Sequence, residues 1–267
     1  IKTAPGFNVW RAPIWNQTDQ WGGNPMAPVW RKYGLNRLQT EVKDVNVKKT
    51  EKTVTIEVKT LSKAANANTR FEVDYTYEMD GTGKISIHHT VAPASDMPGW
   101  LPKIGTQMVL QDEFEHFAWY GRGPFETYPD RKSGAKVGWY EKSVSELYEP
   151  YLVPAEHGNR TDVRWAALTN EEGLGMYISG DALLNVSAST FSTDNLTRAQ
   201  YTFQLKDQDG ITVNMDHKVS GVGGTPVKTL EKYRVMPENY NYTIHLCPFD
   251  QSEREPKSIY RNNKVGK

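Results

Sequence analysis

The sequence predicts an all-β domain, a large antiparallel β-sandwich. Three observations carry the prediction. Apolar and polar residues alternate with period two along much of the chain, turn residues separate the alternating runs at short spacing, and helical periodicity is scarce. In Thr53–Lys59 the residues Val54, Ile56 and Val58 alternate with charged or hydroxyl residues, as a strand with one buried face requires. Phe71–Tyr77 and Lys84–His89 repeat the pattern, and Met79-Asp80-Gly81-Thr82-Gly83 between them reads as a hairpin turn. Residues 50–92 are therefore expected as a three-stranded meander.

Further strands are expected at 105–110, 114–120, 163–169, 174–180, 183–190, 200–206, 210–217, 231–236 and 240–247, with a turn at Asp207–Gly210. Met26–Leu38 suits one short helix and Ser143–Tyr148 one helical turn. Long irregular stretches remain at 5–36, 121–162 and 218–230. In an all-β domain such loops are functional or packed on a neighbour. Residues 1–250 are expected as the sandwich and 251–267 as a charged, poorly patterned C-terminal tail.

The composition narrows the function classes. Net charge is zero with no basic stripe, so nucleic acid is not an expected partner. No run approaches 18 apolar residues, so no transmembrane helix is expected. Aromatics reach 11%, with 8 Trp and 14 Tyr, enough large rings to build a core. The lone Cys247 excludes an internal disulfide and reads as a small buried hydrophobe. The chain begins without Met, as a fragment of a longer polypeptide would.

Four loops hold the candidate chemistry. The first carries Trp10, Trp15, Trp21 and Trp30 around Arg11-Ala12-Pro13. Such rings suit a sugar face or a domain seam, and the seam is the expectation. The second, Trp119–Arg131, has glycines and prolines that fix an irregular backbone, with Arg122, Glu126, Asp130 and Arg131 as charges. It reads as an ion-paired structural loop or as a saccharide rim.

The third loop, Glu149–Arg160, places Glu156 beside His157, an acid/base couple only if the two side chains converge, which sequence neighbours in an extended chain do not. The fourth follows Asn214-Met215-Asp216 and runs Ser220-Gly221-Val222-Gly223-Gly224-Thr225-Pro226. It lacks the Lys-Ser/Thr ending of a phosphate loop, so its glycines read as a sharp backbone excursion. His88 and His89 neighbour each other on a strand and face opposite ways, so they cannot share a metal.

These loops together resemble the small-chain domain of bacterial β-galactosidases of glycoside hydrolase family 2. The matching pieces are Arg11-Ala12-Pro13, the segment Trp119–Arg131, Pro150–Pro154 with Glu156, Gly158 and Arg160, and Asn214-Met215-Asp216 followed by Gly221–Gly224. They occur in the family's order to about residue 250.

The resemblance implies a supersandwich of the galactose mutarotase type. It also implies a bacterial, cytoplasmic or periplasmic, homo-oligomeric parent that hydrolyses terminal β-D-galactosides with retention. Such enzymes use two glutamates about 5 Å apart. The resemblance places both, and the catalytic Mg²⁺, on an upstream barrel, so no catalytic residue, metal site or cofactor is expected in this chain. Its expected partners are that barrel and the β-galactoside. By the same resemblance Gly224, Thr225, Pro226 and Lys228 contact substrate on the aglycone side, although Lys228 stands where the family places a Trp. The alternatives are a free-standing aldose mutarotase, which needs a converging His and Glu, and a carbohydrate-binding module.

Overall fold

The computed structural model describes residues 1–18, 25–94, 96–224 and 227–265. In chain order the strands are β1 (Thr3–Asn8), β2 (Leu38–Lys49), β3 (Thr53–Ala64), β4 (Arg70–Asp80), β5 (Ile85–Pro93) and β6 (Lys103–Leu110). They continue with β7 (His116–Gly123), β8 (Lys136–Ser143), β9 (Arg160–Thr169), β10 (Leu174–Ser189), β11 (Ile211–Val219) and β12 (Tyr240–Asp250). The helices are α1 (Trp15–Thr18), α2 (Met26–Lys32), α3 (Thr193–Arg198) and α4 (Pro256–Val265).

Every strand pairing is antiparallel. The main path runs β1-β6-β11-β10-β12-β5-β4-β3-β2, and β9, β7 and β8 branch from β10. Strand β10 joins the path to the branch: Leu174–Gly180 pairs with β12 and Asn185–Ser189 with β11, and Gly175–Ser179 pairs with β9 on its other edge. The sheet curls until β1 lies over β4. There the Phe7 N–H donates to Tyr75 Oη at 3.1 Å, and the Phe7 and Phe71 rings lie 5.1 Å apart. This is the large antiparallel β-sandwich that the alternation predicts, curled as the resemblance implies.

The inward residues of both layers meet in one large core that includes Phe71, Leu101, Ile104, Met108, Phe117 and Ile244. Two of the loop tryptophans belong to it. Trp30 is fully buried, crosses Trp100 edge-to-face at 4.8 Å, and donates its indole N–H to the Trp100 carbonyl. Trp10 is buried too and donates to Thr197 Oγ1. The expectation that the whole Trp10–Trp30 segment forms a seam is corrected to that extent: Trp15 is exposed, and Trp21 lies outside the described residues.

The 50–92 meander forms as expected, and β2 extends it. Strand β2 hides from a period-two reading because the register jumps between Val42 and Asp44. The extra residue places Val42 and Val45, three apart, on one face. Residues 200–206 and 231–236 are not strands. They hold 3-10 turns at Thr202–Gln204 and Glu231–Tyr233, and Val235 makes one isolated bridge to Leu101. Tyr201 and Phe203 alternate with polar residues but stack on each other in solvent, so no core selects a strand there.

The Met26–Leu38 helix stops at Lys32. Gly34 takes φ +69°, and a Cβ on it would stand 2.5 Å from that of Ala64. After residue 250 the charged stretch is not left loose. In α4, Ile259 is buried with Trp165, Tyr177 and Phe249, and Tyr260 meets Tyr120 at 5.5 Å.

Candidate functional site: a cleft where four loops meet

All four loops singled out above converge at one end of the sandwich. They enclose a cleft of about 400 Å³ with Trp15, Glu126, Tyr128, Tyr151, Glu156 and Val222 in its wall. The first loop is tied to the fourth by Arg11. Its fully buried guanidinium donates to the carbonyls of Ser220 at 2.7 Å and Gly221 at 3.1 Å. The Asn16 amide adds a bond to the Val222 carbonyl, and the Glu156 N–H donates to the Ala12 carbonyl from the third loop.

The second loop is an ion-paired and carboxylate-capped structure. Asp130 accepts the N–H groups of Val222 and Gly223 at 3.0 and 2.7 Å. Gly221 must be glycine, since a Cβ would fall 2.5 Å from Asp130 Oδ2. Arg122 and Lys132 both bind Asp162. Burial works against the Asp162 carboxylate, but these two donors overcome it and hold its pKa below the usual range.

Glu126 fastens the second loop to the third. One of its oxygens accepts the Tyr151 hydroxyl and the other the Gly158 N–H at 2.8 Å. Burial raises its pKa, against the pull of those two bonds. Arg160 lies over the Trp119 ring at 4.9 Å and donates to the Gly158 carbonyl, and burial lowers its pKa to about 10.

Glu156 and His157 do not converge. Glu156 lines the cleft, whereas the His157 ring sits between Tyr148 and Phe191 with Nδ1 against the Ala155 carbonyl. Burial lowers the His157 pKa, which favours the neutral ring. His88 and His89 point to opposite faces: His89 is buried, stacked on Tyr242 at 4.3 Å and bonded to Thr106, and His88 is exposed. Among the described residues no group of three or more His, Cys, Asp and Glu could hold a metal ion.

Below the loops, the Asn214-Met215-Asp216 motif forms a buried polar anchor. Lys103 Nζ donates to Asn214 Oδ1 at 3.0 Å and Asp216 Oδ2 at 3.1 Å, with Lys103 and Asp216 both about 1% exposed. Asp216 Oδ1 has no partner. Burial therefore raises the Asp216 pKa to about 7, with Lys103 opposing and Glu156 adding to the rise.

Of the residues expected to contact substrate, Gly224 donates its N–H to the Val227 carbonyl and Lys228 is exposed. Thr225 and Pro226 lie outside the described residues. Among the described residues of this loop, Val222 lines the cleft. Sequence reasoning missed the Glu126–Tyr151 contact, because 25 residues separate the pair and no local spacing marks it.

The chain matches the β-galactosidase small-chain family over residues 1–246. It belongs to that family. A β-galactosidase of Priestia megaterium is 36% identical over 92% of this chain, and one of Pseudoalteromonas haloplanktis 31% over 90%. The small chain spans only 23% of each of these relatives, so it corresponds to a minor part of a longer β-galactosidase. Among solved structures, a galactose 1-epimerase from Lactobacillus acidophilus aligns with a TM-score of 0.46 at 11% identity, over 78% of this chain and 66% of that one. That likeness concerns the strand framework alone.

Proposed function

We propose that this chain is the C-terminal region of an enzyme that hydrolyses terminal β-D-galactosides with retention. In this reading it packs on an upstream catalytic barrel and shapes the aglycone side of the active site. The barrel supplies both catalytic glutamates and holds the Mg²⁺ of the parent, a homo-oligomer. The observation that supports this is the convergence of four loops on one cleft with an open apolar rim, where Trp15 is 57% and Leu152 89% exposed. A rim of that kind suits a packing partner or the C–H face of a sugar.

The cleft is poorly arranged for catalysis by itself. Both oxygens of Glu126 are taken up by its own loops, and Glu156 stands without His157. The second point also weighs against a free-standing mutarotase, which needs a His and a Glu on one sugar ring.

In the same reading the Gly221–Lys228 loop reaches the aglycone. Asp130 and Arg131 grip its base, and exposed Lys228 can hydrogen-bond a hydroxyl but cannot stack. Lys228→Trp in the full-length enzyme should restore a ring contact of about 1 kcal/mol. It should lower KM for disaccharides more than for aryl galactosides with small leaving groups. Unchanged kinetics with both substrate classes would show that the loop is a structural turn.

A further inference from the structure

The inner face of the sandwich is left open at β2. Val45 pairs with Val58, and Val47 with Ile56, on the side where Tyr75 and Ile87 enter the core. Yet Val42, Val45 and Val47 are 58%, 54% and 59% exposed. Burial fades in two directions. Along β4 it falls from Phe71 and Val73, which are fully buried, to Tyr77 and Met79, which are partly buried. Across the sheet it falls from β4 through β3, where Val54 and Ile56 are half-covered, to β2. The covering layer ends at β1, whose Phe7 reaches Phe71.

The opposite face of β2 is built for water: Asn46 and Lys48 both bind Glu57, and Glu41 binds Lys43 and Lys63. A strand with a charged face and a valine face is a half-buried strand whose cover is missing. Both β1 and β2 end the sheet path, and among the described residues β2 has no strand on its outer edge.

We infer that this valine face is an intramolecular docking surface, covered in the parent β-galactosidase by β-structure from the rest of the same polypeptide. Such a segment would alternate apolar residues toward Val45, Val47 and Ile56 with polar residues toward solvent. Two observations favour this occupant over a second copy of the chain. The relatives are several times longer than this chain, so covering material exists in the same polypeptide.

Ile1 lines one cavity with Leu174, Pro248 and Phe249. Pro248 there is in reach of Gly83 in the β4–β5 turn, and Asp80 pairs with Thr53 at the β2–β3 turn. A segment joined at Ile1 therefore starts at the same end of the sandwich as the open face. The inference rests on the shown place of this chain in longer β-galactosidases, and not on the aglycone role of Lys228.

The test is thiol labelling of V47C and N46C, made separately in the full-length enzyme, with the same variants of the isolated chain as reference. These positions are adjacent on β2 and face opposite ways, and the natural Cys247 is buried. In the isolated chain both variants should label fast. In the full-length enzyme V47C should label at least about tenfold more slowly than N46C, since a covered site reacts only when it opens. Equal rates for the two variants in the full-length enzyme would overturn the inference. So would protection of V47C that disappears on dilution, because a second copy would then be the cover. If the isolated chain does not fold, the comparison of V47C with N46C within the full-length enzyme still decides. A null result in the Lys228→Trp kinetics would leave this test unaffected.

Discussion

Lys103→Met should destabilise the chain by about 3–5 kcal/mol at pH 8 and by about 1 kcal/mol less at pH 5. Lys103 and Asp216 are buried together, and Lys103 is the cation bonded to that carboxylate. At pH 8 the substitution leaves a buried carboxylate with Arg11 as the remaining cation that lowers its pKa and Glu156 as a repelling neighbour. The sign of the pH effect follows from the Asp216 pKa, raised to about 7 from the ordinary aspartate value of about 3.9. Between these values the folded protein keeps a proton that the unfolded chain releases. The contribution of Asp216 to stability is thus greatest below about pH 4 and declines as pH rises through about 7. At pH 5 the carboxyl is protonated, and removing the ammonium leaves no buried anion behind. Chemical denaturation at the two pH values reads the difference. An equal cost at both would show that Asp216 stays ionised in the folded chain.

Trp119→Ala should cost about 3–5 kcal/mol, the range for truncating a buried large aromatic. Its ring is fully buried, lies 5.3 Å from both Phe117 and Tyr140, carries Arg160 on one side, and donates its indole N–H to the Arg122 carbonyl. The substitution opens a cavity and also removes the platform under Arg160, so the third loop should loosen along with the core. Trp15→Ala is the control. With that ring 57% exposed, the cost in the isolated chain should stay within about 0.5 kcal/mol. Urea midpoints of the two variants measure both effects, and similar losses would contradict the burial difference.

The strands were legible where one face meets the core. In β3, β4 and β5, Val54, Tyr75 and Ile87 fall on the predicted face because period two survives intact. It was not legible where geometry interrupts the period. The bulge beside Lys43 hid β2, and Gly138 within the exposed β8 ribbon removed a side chain from its pattern. The irregular loops stood out in the sequence through their glycines, prolines and tryptophans. Their meeting point did not, because Arg11 reaches Ser220 and Asp130 reaches Gly223 across long separations that leave no local trace. Glu156 and His157 show the converse. They adjoin in sequence, yet the extended backbone sends one to the cleft and the other between Tyr148 and Phe191.

In the proposed function, this chain shapes a β-galactosidase active site without carrying its catalytic carboxylates. The direct measurement is turnover of an aryl β-galactoside by the purified chain, beside Glu126→Gln and Glu156→Gln variants of it. The account predicts no turnover above the uncatalysed rate for any of the three proteins. Turnover by the unmodified chain that either substitution abolishes would contradict it, and would place a catalytic carboxylate in the four-loop cleft.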